Sequence, residues 1–354
     1  MSPPADPRLV RSEQPQSLET DLEAFGTFIT PIDRHYVRNH YPVPDVDVKA
    51  WRLRVEGDVR TPIAVSLDDL QAMPSTSRVV TLECAGNGRL FLEPKVSGVQ
   101  WGPGGVSTAE WTGVLLADLL ERAGVIGDTA EVVADGLDAG PVSTTPKPAG
   151  AISYHRGLRV DEAVRRGALV AYAMNGTPLP PAHGFPARLV VPGAYGMAAV
   201  KWLRRFLVTS APFAGYWQTT DYAYWDRSGA HPQQRPLLGM QVKSLIARPS
   251  DDATLPRDTT IDVSGTAWSD GAITAVDVST DGGTTWEAAS LLDEARPGVW
   301  RRWRYTWQTP AAAGPVTLMS RATDSFGRVQ PMTRDADYGG YVIHHVVPVS
   351  VDVR

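Results

Sequence analysis

The chain lacks most features that mark secreted, membrane-spanning or nucleic-acid-binding proteins. Its 354 residues include one cysteine, so no intramolecular disulfide can form. No apolar run reaches the roughly 18 residues that a membrane-spanning helix needs. Lysine and arginine number 34 against 39 aspartates and glutamates, which gives a net charge of −5 and no basic surplus. The composition therefore predicts a globular protein with neither a nucleic-acid nor a membrane partner.

Signatures of nucleotide binding and of export are also missing. There is no G-x-G-x-x-G in a strand-to-helix context and no Walker loop, which argues against a nicotinamide Rossmann domain. The polar, proline-rich N-terminus has no apolar segment and no twin arginine, so it does not predict a signal peptide. We therefore expect a cytoplasmic protein in which residues 1–24 form a disordered or loosely draped arm.

The length favours two domains, and the first shows strands and short helices without regular alternation. That pattern predicts an α+β fold rather than a doubly wound sheet. The predicted elements are a strand over Trp51–Gly57, a short helix capped by Ser66 and Asp69, helices over Thr112–Gly124 and Val160–Gly167, and a strand over Arg188–Pro192.

The composition changes after about residue 235, and from there the pattern is strand after strand. Asp281-Gly282-Gly283 predicts a hairpin turn. A later strand alternates aromatic and basic residues, with Trp300, Trp303, Tyr305 and Trp307 on one face and Arg302 and Arg304 on the other. Short strands at this spacing predict an all-β, immunoglobulin-like sandwich over residues 237–354.

The single cysteine lies in the stretch Thr81–Arg89. Apolar and β-branched residues lead up to Cys84, so a strand is expected to end there, and small residues and Arg89 follow. A thiolate at a strand end, under a glycine-rich turn and near a guanidinium, is typical of a metal ligand or a nucleophile. The alternative is a small hydrophobic side chain buried in the core.

Four blocks of sequence together match the pattern of one enzyme family. They are Val37–Pro44, the loop Cys84-Ala85-Gly86-Asn87, the pair Asn175–Pro180 and His183–Gly193, and Val200–Trp202. In this order the blocks resemble the arginine-asparagine-histidine loop, the molybdenum-ligating cysteine loop and the pterin-binding segment of the sulfite oxidase family of molybdopterin-dependent oxidoreductases. The resemblance covers roughly residues 25 to 350. It implies a mixed α/β molybdopterin-binding domain over 25–236 and a dimerisation domain over 237–354.

The resemblance also implies roles for individual residues. Cys84 would ligate molybdenum, Arg38 and Arg89 would hold an oxyanion, Tyr222 would hydrogen-bond a metal-bound ligand, and Trp101 would wall the pocket. The residues that would hold the cofactor are Arg38, Asn39, His40, Cys84, Asp138, His183, Arg188 and Lys201. The structural alternatives are ion-pair arginines, a tyrosine between domains and a tryptophan in the core.

The reaction implied by the resemblance is oxygen-atom transfer, with oxidation of sulfite to sulfate. A molybdenum-molybdopterin cofactor without haem, an unknown electron acceptor and a homodimer formed through the C-terminal domain complete this hypothesis. Two departures weaken the match to animal and plant enzymes: Gly88 replaces a second arginine, and Ala336 stands where a further anion-binding arginine is expected, with Arg334 nearby. These departures concern the substrate rather than the cofactor.

Other functions therefore stay open at this point. One alternative is a molybdenum-dependent reductase of a sulfoxide, nitrate or another small oxo acceptor. An alternative of a different class is a non-redox protein, either a thiol hydrolase that uses Cys84 with His40 or His183, or a cofactor-free binding module.

Overall fold

A computed structural model describes residues 6–126, 131–142 and 144–354, and these residues form mostly β-sheet. The first part contains β1 (Leu9–Ser12), β2 (Ser17–Glu19), β3 (Val37–Arg38), β4 (Leu53–Gly57), β5 (Ile63–Val65), β6 (Thr76–Glu83), β7 (Val106–Leu115), β8 (Glu131–Gly140), β9 (Ile152–Arg159), β10 (Leu169–Met174), β11 (Thr177–Pro178), β12 (Arg188–Val190), β13 (Leu203–Thr209), β14 (Ala223–Asp226) and β15 (Gln233–Pro236).

The second part contains β16 (Lys243–Arg248), β17 (Ala253–Leu255), β18 (Thr260–Trp268), β19 (Ile273–Ser279), β20 (Glu287–Ala288), β21 (Ser290–Leu291), β22 (Arg301–Gln308), β23 (Gly314–Asp324) and β24 (Val349–Val353). The α-helices are α1 (Leu67–Ala72), α2 (Leu116–Ala123), α3 (Val160–Arg166) and α4 (Tyr216–Thr219). Short 3-10 helices cover Leu22–Gly26, Arg89–Phe91, Pro181–His183, Gly196–Ala198 and Ala336–Tyr338. Among the described residues, no helix has the length and apolar character to cross a bilayer.

The antiparallel sheet β11-β10-β7-β6 carries the single cysteine at its edge, and β12 also pairs with β10. Val80 and Leu82 of β6 are buried, with Val80 opposite Ala109 of β7. β6 ends at Glu83, so Cys84 is the first residue after the strand. The predicted strand before Cys84 is confirmed.

A second sheet, β5-β4-β13-β8-β9, brings two later segments close to this edge. Its β4–β13 pair is parallel, and its other pairs are antiparallel. Lys201 lies two residues before β13, and Asp138 lies in β8 where the pairing with β9 shifts register between Asp135 and Ala139. Because strands mix with few helices and do not alternate with them, the fold is α+β as predicted.

The prediction of a loose N-terminal arm is wrong for the described part of residues 1–24. β1, β2 and β3 form a sheet, and β3 carries Arg38. The buried carboxylate of Glu19 accepts hydrogen bonds from the backbone N–H groups of Gly102 at 2.9 Å and Gly104 at 2.8 Å. Composition gave no sign of these long-range bonds, which order the arm. Residues 1–5 lie outside the described ranges.

The predicted helices are confirmed, except that one of them begins later in the chain than predicted. α1 begins with a full capping box, in which Ser66 and Asp69 bond each other's backbone N–H, and α3 ends at Gly167 with a positive φ. The helix predicted over Thr112–Gly124 begins only at Leu116, because Thr112–Leu115 pair with β10 as the end of β7. Pairing across the sheet outweighed a helical pattern that had no capping side chain at its start.

The second part consists of two sheets that face each other, β16-β18-β22-β21 and β17-β24-β23-β19-β20. Their inner side chains form one apolar cluster that includes Val263, Trp303, Val276, Leu318 and Val351. The predicted alternation is confirmed within β22, because Trp303 and Trp307 are buried between the sheets and Arg304 is exposed. The prediction is wrong for Trp300, which precedes the strand and packs in the core of the first part. The predicted hairpin turn is a longer loop over residues 280–286, organised by backbone N–H bonds to the Asp281 carboxylate.

The two parts share an interior. Trp300 is fully buried, its backbone N–H donates to Thr81 Oγ1 at 2.7 Å, and its ring lies 5.4 Å from that of Phe25. Trp268 and Val342 belong to the same continuous core as residues of the first part. The second part therefore forms the wall behind the strand that leads to Cys84.

Candidate active site

Two cavities meet at Cys84. We call them the inner cavity and the outer cavity, which opens beside it. Four residues line both: Arg38, His40, Cys84 and Tyr222. The thiol therefore lies at the neck where the two cavities join.

Most of the residues that the sequence predicted for the site line these cavities. Those lining the inner cavity are Arg38, Asn39, His40, Cys84, Asp138, His183, Arg188, Lys201 and Tyr222. Arg89 lines the outer cavity. Trp101 lines neither; it is fully buried and its ring meets Tyr36 edge-on at 6.2 Å.

The backbone around Cys84 is held by a tight turn. The Cys84 N–H donates to Gly105 O at 2.8 Å, and the Asn87 N–H donates to Cys84 O at 2.8 Å. Cys84 is 8% exposed, and this burial raises the pKa of its thiol, an effect that the nearby guanidinium groups of Arg38 and Arg89 oppose. A bound metal would replace the thiol proton, because only the thiolate acts as a ligand.

Arg89 is locked in place by its surroundings. Its Nε donates to Gly340 O at 3.0 Å and its Nη1 donates to Val99 O at 2.8 Å. Its guanidinium carbon lies 5.2 Å from the centroid of the Tyr341 ring. A Cβ at Gly86 would approach this guanidinium to 2.5 Å, so only glycine fits there. Two of its nitrogens are thus engaged by carbonyl oxygens, while the side chain as a whole lines the outer cavity.

His40 and Tyr222 are joined across the neck. The distance between His40 Nε2 and the Tyr222 hydroxyl is 2.6 Å, and the His40 ring stacks on Tyr154 with 4.3 Å between centroids. Burial, followed by the positive charges of Arg38 and Lys201, lowers the pKa of His40 well below its usual value. Burial raises the pKa of Tyr222, so the neutral imidazole accepts a hydrogen bond from the hydroxyl, which keeps its proton and is held in place at the neck.

The inner cavity concentrates positive charge. Arg188 donates to His183 O and Ala199 O, both at 3.1 Å, and its guanidinium lies 4.8 Å from the Trp111 centroid. Lys201 Nζ donates to Ala182 O at 2.8 Å and to Asn39 Oδ1. Burial lowers the pKa of Arg188 to about 10 and the pKa of Lys201 well below its ordinary value. These charges contact carbonyl and amide oxygens, so a bound anion would stabilise them.

Several buried polar atoms in the inner cavity have no hydrogen-bond partner within the described residues. They are Nε2 of His35, Nδ2 of Asn39, Oδ1 of Asp138 and Nε of Arg188. Unsatisfied buried groups are rare in folded proteins, and a ligand commonly explains them. Donors and an acceptor beside this cationic cluster fit a polar heterocycle that carries a phosphate.

Sequence reasoning missed some lining residues. His35 and Tyr36 line the inner cavity, and their position just before Val37-Arg38 was a usable signal. Asp221 and Tyr341 line the outer cavity, where the Tyr341 hydroxyl donates to the Asp221 carboxylate. They come together only through tertiary packing, because Tyr341 belongs to the second part.

The two departures at Gly88 and Ala336 leave the outer cavity with few cations. Ala336 is exposed in a 3-10 helix, and Arg334 lines neither cavity. Among the residues that the structure describes, the guanidinium groups lining the outer cavity are those of Arg38 and Arg89. The cavity is therefore suited to a small anion of low charge.

Comparison with known proteins assigns this architecture. Residues 40–217 match the family described as "Oxidoreductase molybdopterin binding domain", and residues 234–344 match "Mo-co oxidoreductase dimerisation domain". Sulfite oxidase from Gallus gallus is 38% identical over 93% of this chain and 74% of its own length. The chain belongs to the sulfite oxidase family of molybdopterin oxidoreductases.

A second relative and a solved structure are also similar to this chain. Mitochondrial sulfite oxidase from Mus musculus is 36% identical over 92% of the chain, and the chain spans 61% of that enzyme's length. The crystal structure of the sulfane dehydrogenase SoxCD from Paracoccus pantotrophus superimposes with a TM-score of 0.81 at 28% identity. That likeness covers 95% of this chain and 84% of the solved one.

Proposed function

We propose that this protein is a molybdenum-cofactor-dependent oxidoreductase that oxidises sulfite to sulfate. The observation that carries the proposal is the position of Cys84, at the neck between a cation-lined inner cavity and an outer cavity with two guanidinium groups. A thiolate there can reach a metal that is held from one side and approached by an anion from the other. Relatives named sulfite oxidase support this choice of anion.

The inner cavity would hold the pterin and its phosphate. Arg188, Lys201 and His183 would contact the phosphate, because the two cationic side chains and the imidazole converge on this cavity and the cations contact carbonyl and amide oxygens. Asn39 and Asp138 would bond the edge of the heterocycle through the atoms that lack partners. Cys84 would supply a thiolate ligand to the molybdenum. When bound, this cofactor supplies the two-electron oxygen-atom chemistry that protein side chains lack.

The outer cavity would bind and orient the substrate. Arg38 and Arg89 would hold the oxyanion, and the rigid hold on Arg89 means that little side-chain freedom is lost on binding. The Tyr222 hydroxyl, bonded to His40, would hold or pass the proton released when water is consumed. Burial of these groups strengthens each of their electrostatic interactions.

The test is steady-state turnover of sulfite by molybdenum-replete protein with ferricyanide or a cytochrome as acceptor. We expect turnover and about one molybdenum per chain, and we expect Cys84→Ser to abolish turnover. We expect that variant to retain cofactor through its intact inner cavity, so metal content is measured in parallel. Unchanged activity in Cys84→Ser would overturn the assignment.

A second candidate is the reverse reaction, removal of oxygen from nitrate, a sulfoxide or another small acceptor. Gly88 and Ala336 favour it, because they leave the outer cavity with less positive charge than a dianion prefers. Reduced viologen with nitrate or a neutral sulfoxide provides the assay. A protein without molybdenum after expression in a cofactor-producing host would instead support a thiol hydrolase or a binding module.

We also infer a homodimer formed through the second part, whose two facing sheets we interpret as an immunoglobulin-like sandwich. The exposed apolar side chains Phe326, Val329 and Met332 supply a surface for this contact. Light scattering on the full chain tests the stoichiometry, with Phe326→Glu expected to shift a dimer toward monomer. The absence of haem, the cytoplasmic location and the identity of the electron acceptor stay predictions from the sequence.

A further inference from the structure

A buried ion pair crosses from the second part of the molecule to the cysteine loop. Lys243, the first residue of β16, places Nζ 3.3 Å from Glu83 Oε1, and both side chains are buried. Lys243 Nζ also donates to Asn87 O at 3.2 Å. Neither residue of the pair lines the inner or the outer cavity, so the pair has no part in the site described above.

Three further hydrogen bonds complete the cluster. The indole N–H of Trp268, at the end of β18, donates to Glu83 Oε2 at 2.8 Å. The Asn87 side chain donates to Glu83 Oε1 at 3.0 Å and accepts from the Gly105 N–H at 2.9 Å. Both oxygens of the Glu83 carboxylate are therefore engaged, one by each of two elements of the second part.

This cluster holds the residues on both sides of Cys84. Glu83 directly precedes the cysteine, Asn87 closes its turn, and the Asn87 O that Lys243 binds lies two residues before Arg89. A buried charge that loses its partner is strongly destabilised, so the loop is confined to the geometry that keeps Glu83 and Lys243 in contact. The second part thus fixes where the thiol and the following guanidinium lie.

We propose that Lys243 and Trp268 are positioning residues that act through Glu83 and Asn87 to orient Cys84. The inference rests on the proposed function for its catalytic consequence, because an oriented thiolate matters only if it binds a metal. The second part then serves the active site directly, in addition to any role in association between subunits.

Gly88 is matched to this arrangement. A Cβ built on Gly88 would lie 3.2 Å from Ile343 and 3.5 Å from Lys243 Nζ. A second arginine at position 88 would begin its side chain against the Lys243 ammonium, and two buried cations side by side repel each other. Glycine at position 88 therefore leaves room for the buried Lys243 ammonium, whereas an arginine there would be repelled by it.

The test uses the fact that Cys84 is the sole cysteine. The full-length chain, prepared without cofactor, reacts with an aromatic disulfide reagent only at this thiol, so the labelling rate reports how often the loop opens. Lys243→Met removes the ammonium and keeps an unbranched chain of similar length. Ser244→Ala is the matched control, because Ser244 is the next residue of β16, is buried, and bonds Ser320 rather than the cysteine loop.

We expect Lys243→Met to accelerate labelling of Cys84 by about tenfold, since it leaves the Glu83 carboxylate buried without its cation. Adding Glu83→Gln in the same chain removes the unpaired charge and should restore slow labelling. In the cofactor-loaded enzyme, the Mo(V) electron paramagnetic resonance signal should change in Lys243→Met and stay the same in Ser244→Ala. If Lys243→Met does not fold, both measurements are made on Trp268→Phe instead. That variant removes only the indole hydrogen bond to Glu83.

Parent-like labelling together with a parent-like Mo(V) signal in Lys243→Met would overturn the proposal. Equal acceleration by Ser244→Ala at matched stability would also overturn it, because the effect would then be general loosening of the second part. Labelling does not depend on which substrate is turned over. Loss of the sulfite assignment therefore appears in the activity assay alone, and loss of the positioning role appears in the labelling rates.

Discussion

The Tyr222 hydroxyl lies 2.6 Å from Nε2 of His40, at the neck that joins the two cavities. Tyr222→Phe keeps the ring and removes this bond, so we expect kcat/KM for sulfite to fall by about ten- to a hundredfold. Tyr341→Phe is the control, because its ring lies 4.9 Å from that of Tyr222 but its hydroxyl bonds Asp221. Equal losses in both variants would show that the His40 contact has no special part in turnover.

Arg188 is expected to act on cofactor retention rather than on chemistry. Arg188→Ala removes a buried guanidinium from the inner cavity, and we expect molybdenum content to fall while turnover per molybdenum changes little. His183→Ala should behave in the same way. Arg204→Ala is a control with an exposed arginine that pairs with Asp135 at 2.9 Å outside the cavity. Full metal content with lost turnover would move Arg188 to the reaction site.

Arg89 should affect anionic substrates selectively. Arg89→Gln removes a charge-assisted contact of roughly 1.5–3 kcal/mol, so we expect kcat/KM for sulfite to fall about ten- to a hundredfold. A neutral sulfoxide should be nearly unaffected. Arg89→Lys keeps the positive charge but loses the two guanidinium hydrogen bonds to Gly340 O and Val99 O. Comparing it with Arg89→Gln therefore distinguishes the effect of the charge from the effect of the side-chain position. Intact sulfite kinetics in Arg89→Gln, with faster sulfoxide reduction, would favour the reductase.

Asp324 predicts a pH dependence of stability. Burial alone would raise the pKa of this carboxyl, but hydrogen bonds from Arg328 at 2.6 Å and Ser269 at 2.7 Å lower it by more. A folded-state pKa below the unfolded one stabilises the protein above about pH 4, and this contribution is lost as the pH falls through the lower value. Asp324→Asn should cost about 1–3 kcal/mol at neutral pH. Denaturant unfolding at pH 7 and pH 3 should show a smaller difference in the variant than in the parent.

Gly88 and Lys243 should be energetically coupled. Gly88 has φ +91°, so Gly88→Arg is strained in any background, and its side chain would also meet the Lys243 ammonium. Lys243→Gln removes the repulsion by the ammonium but not the backbone strain at position 88. We expect the loss of stability caused by Gly88→Arg to be smaller by about 0.5–3 kcal/mol when Lys243→Gln is also present. Additive losses in a double-mutant cycle would show that the two positions are independent.

Local signals accounted for much of what the sequence predicted. The strand before Cys84, the Ser66 capping box and the end of α3 each depend on a few neighbouring residues, and each was placed correctly. The segment Thr112–Leu115 was misassigned because its pairing with β10 involves residues far along the chain. Its local pattern fitted a helix equally well.

The residues of the site also fall into those that local sequence signals predicted and those that only tertiary packing brings together. Arg38, His40 and His183 belong to recognisable blocks, and all three line the inner cavity. Tyr341 and Asp221 meet only because the second part folds against the first, and Lys243 reaches Glu83 from 160 positions away. No spacing rule links residues at such distances. Sequence reasoning therefore predicted the cofactor side of the site better than the supports behind it.

The contact between Trp300 and Thr81 spans 219 positions of the chain, which constrains the order of events during synthesis. When β6 leaves the ribosome, Trp300, which will pack against it, has not yet been made. The cysteine loop reaches its final form only once Lys243, Trp268 and Trp300 have been made. We therefore expect a cofactor to be inserted after translation, and a truncated product of an interrupted ribosome to expose an apolar surface to chaperones and proteases.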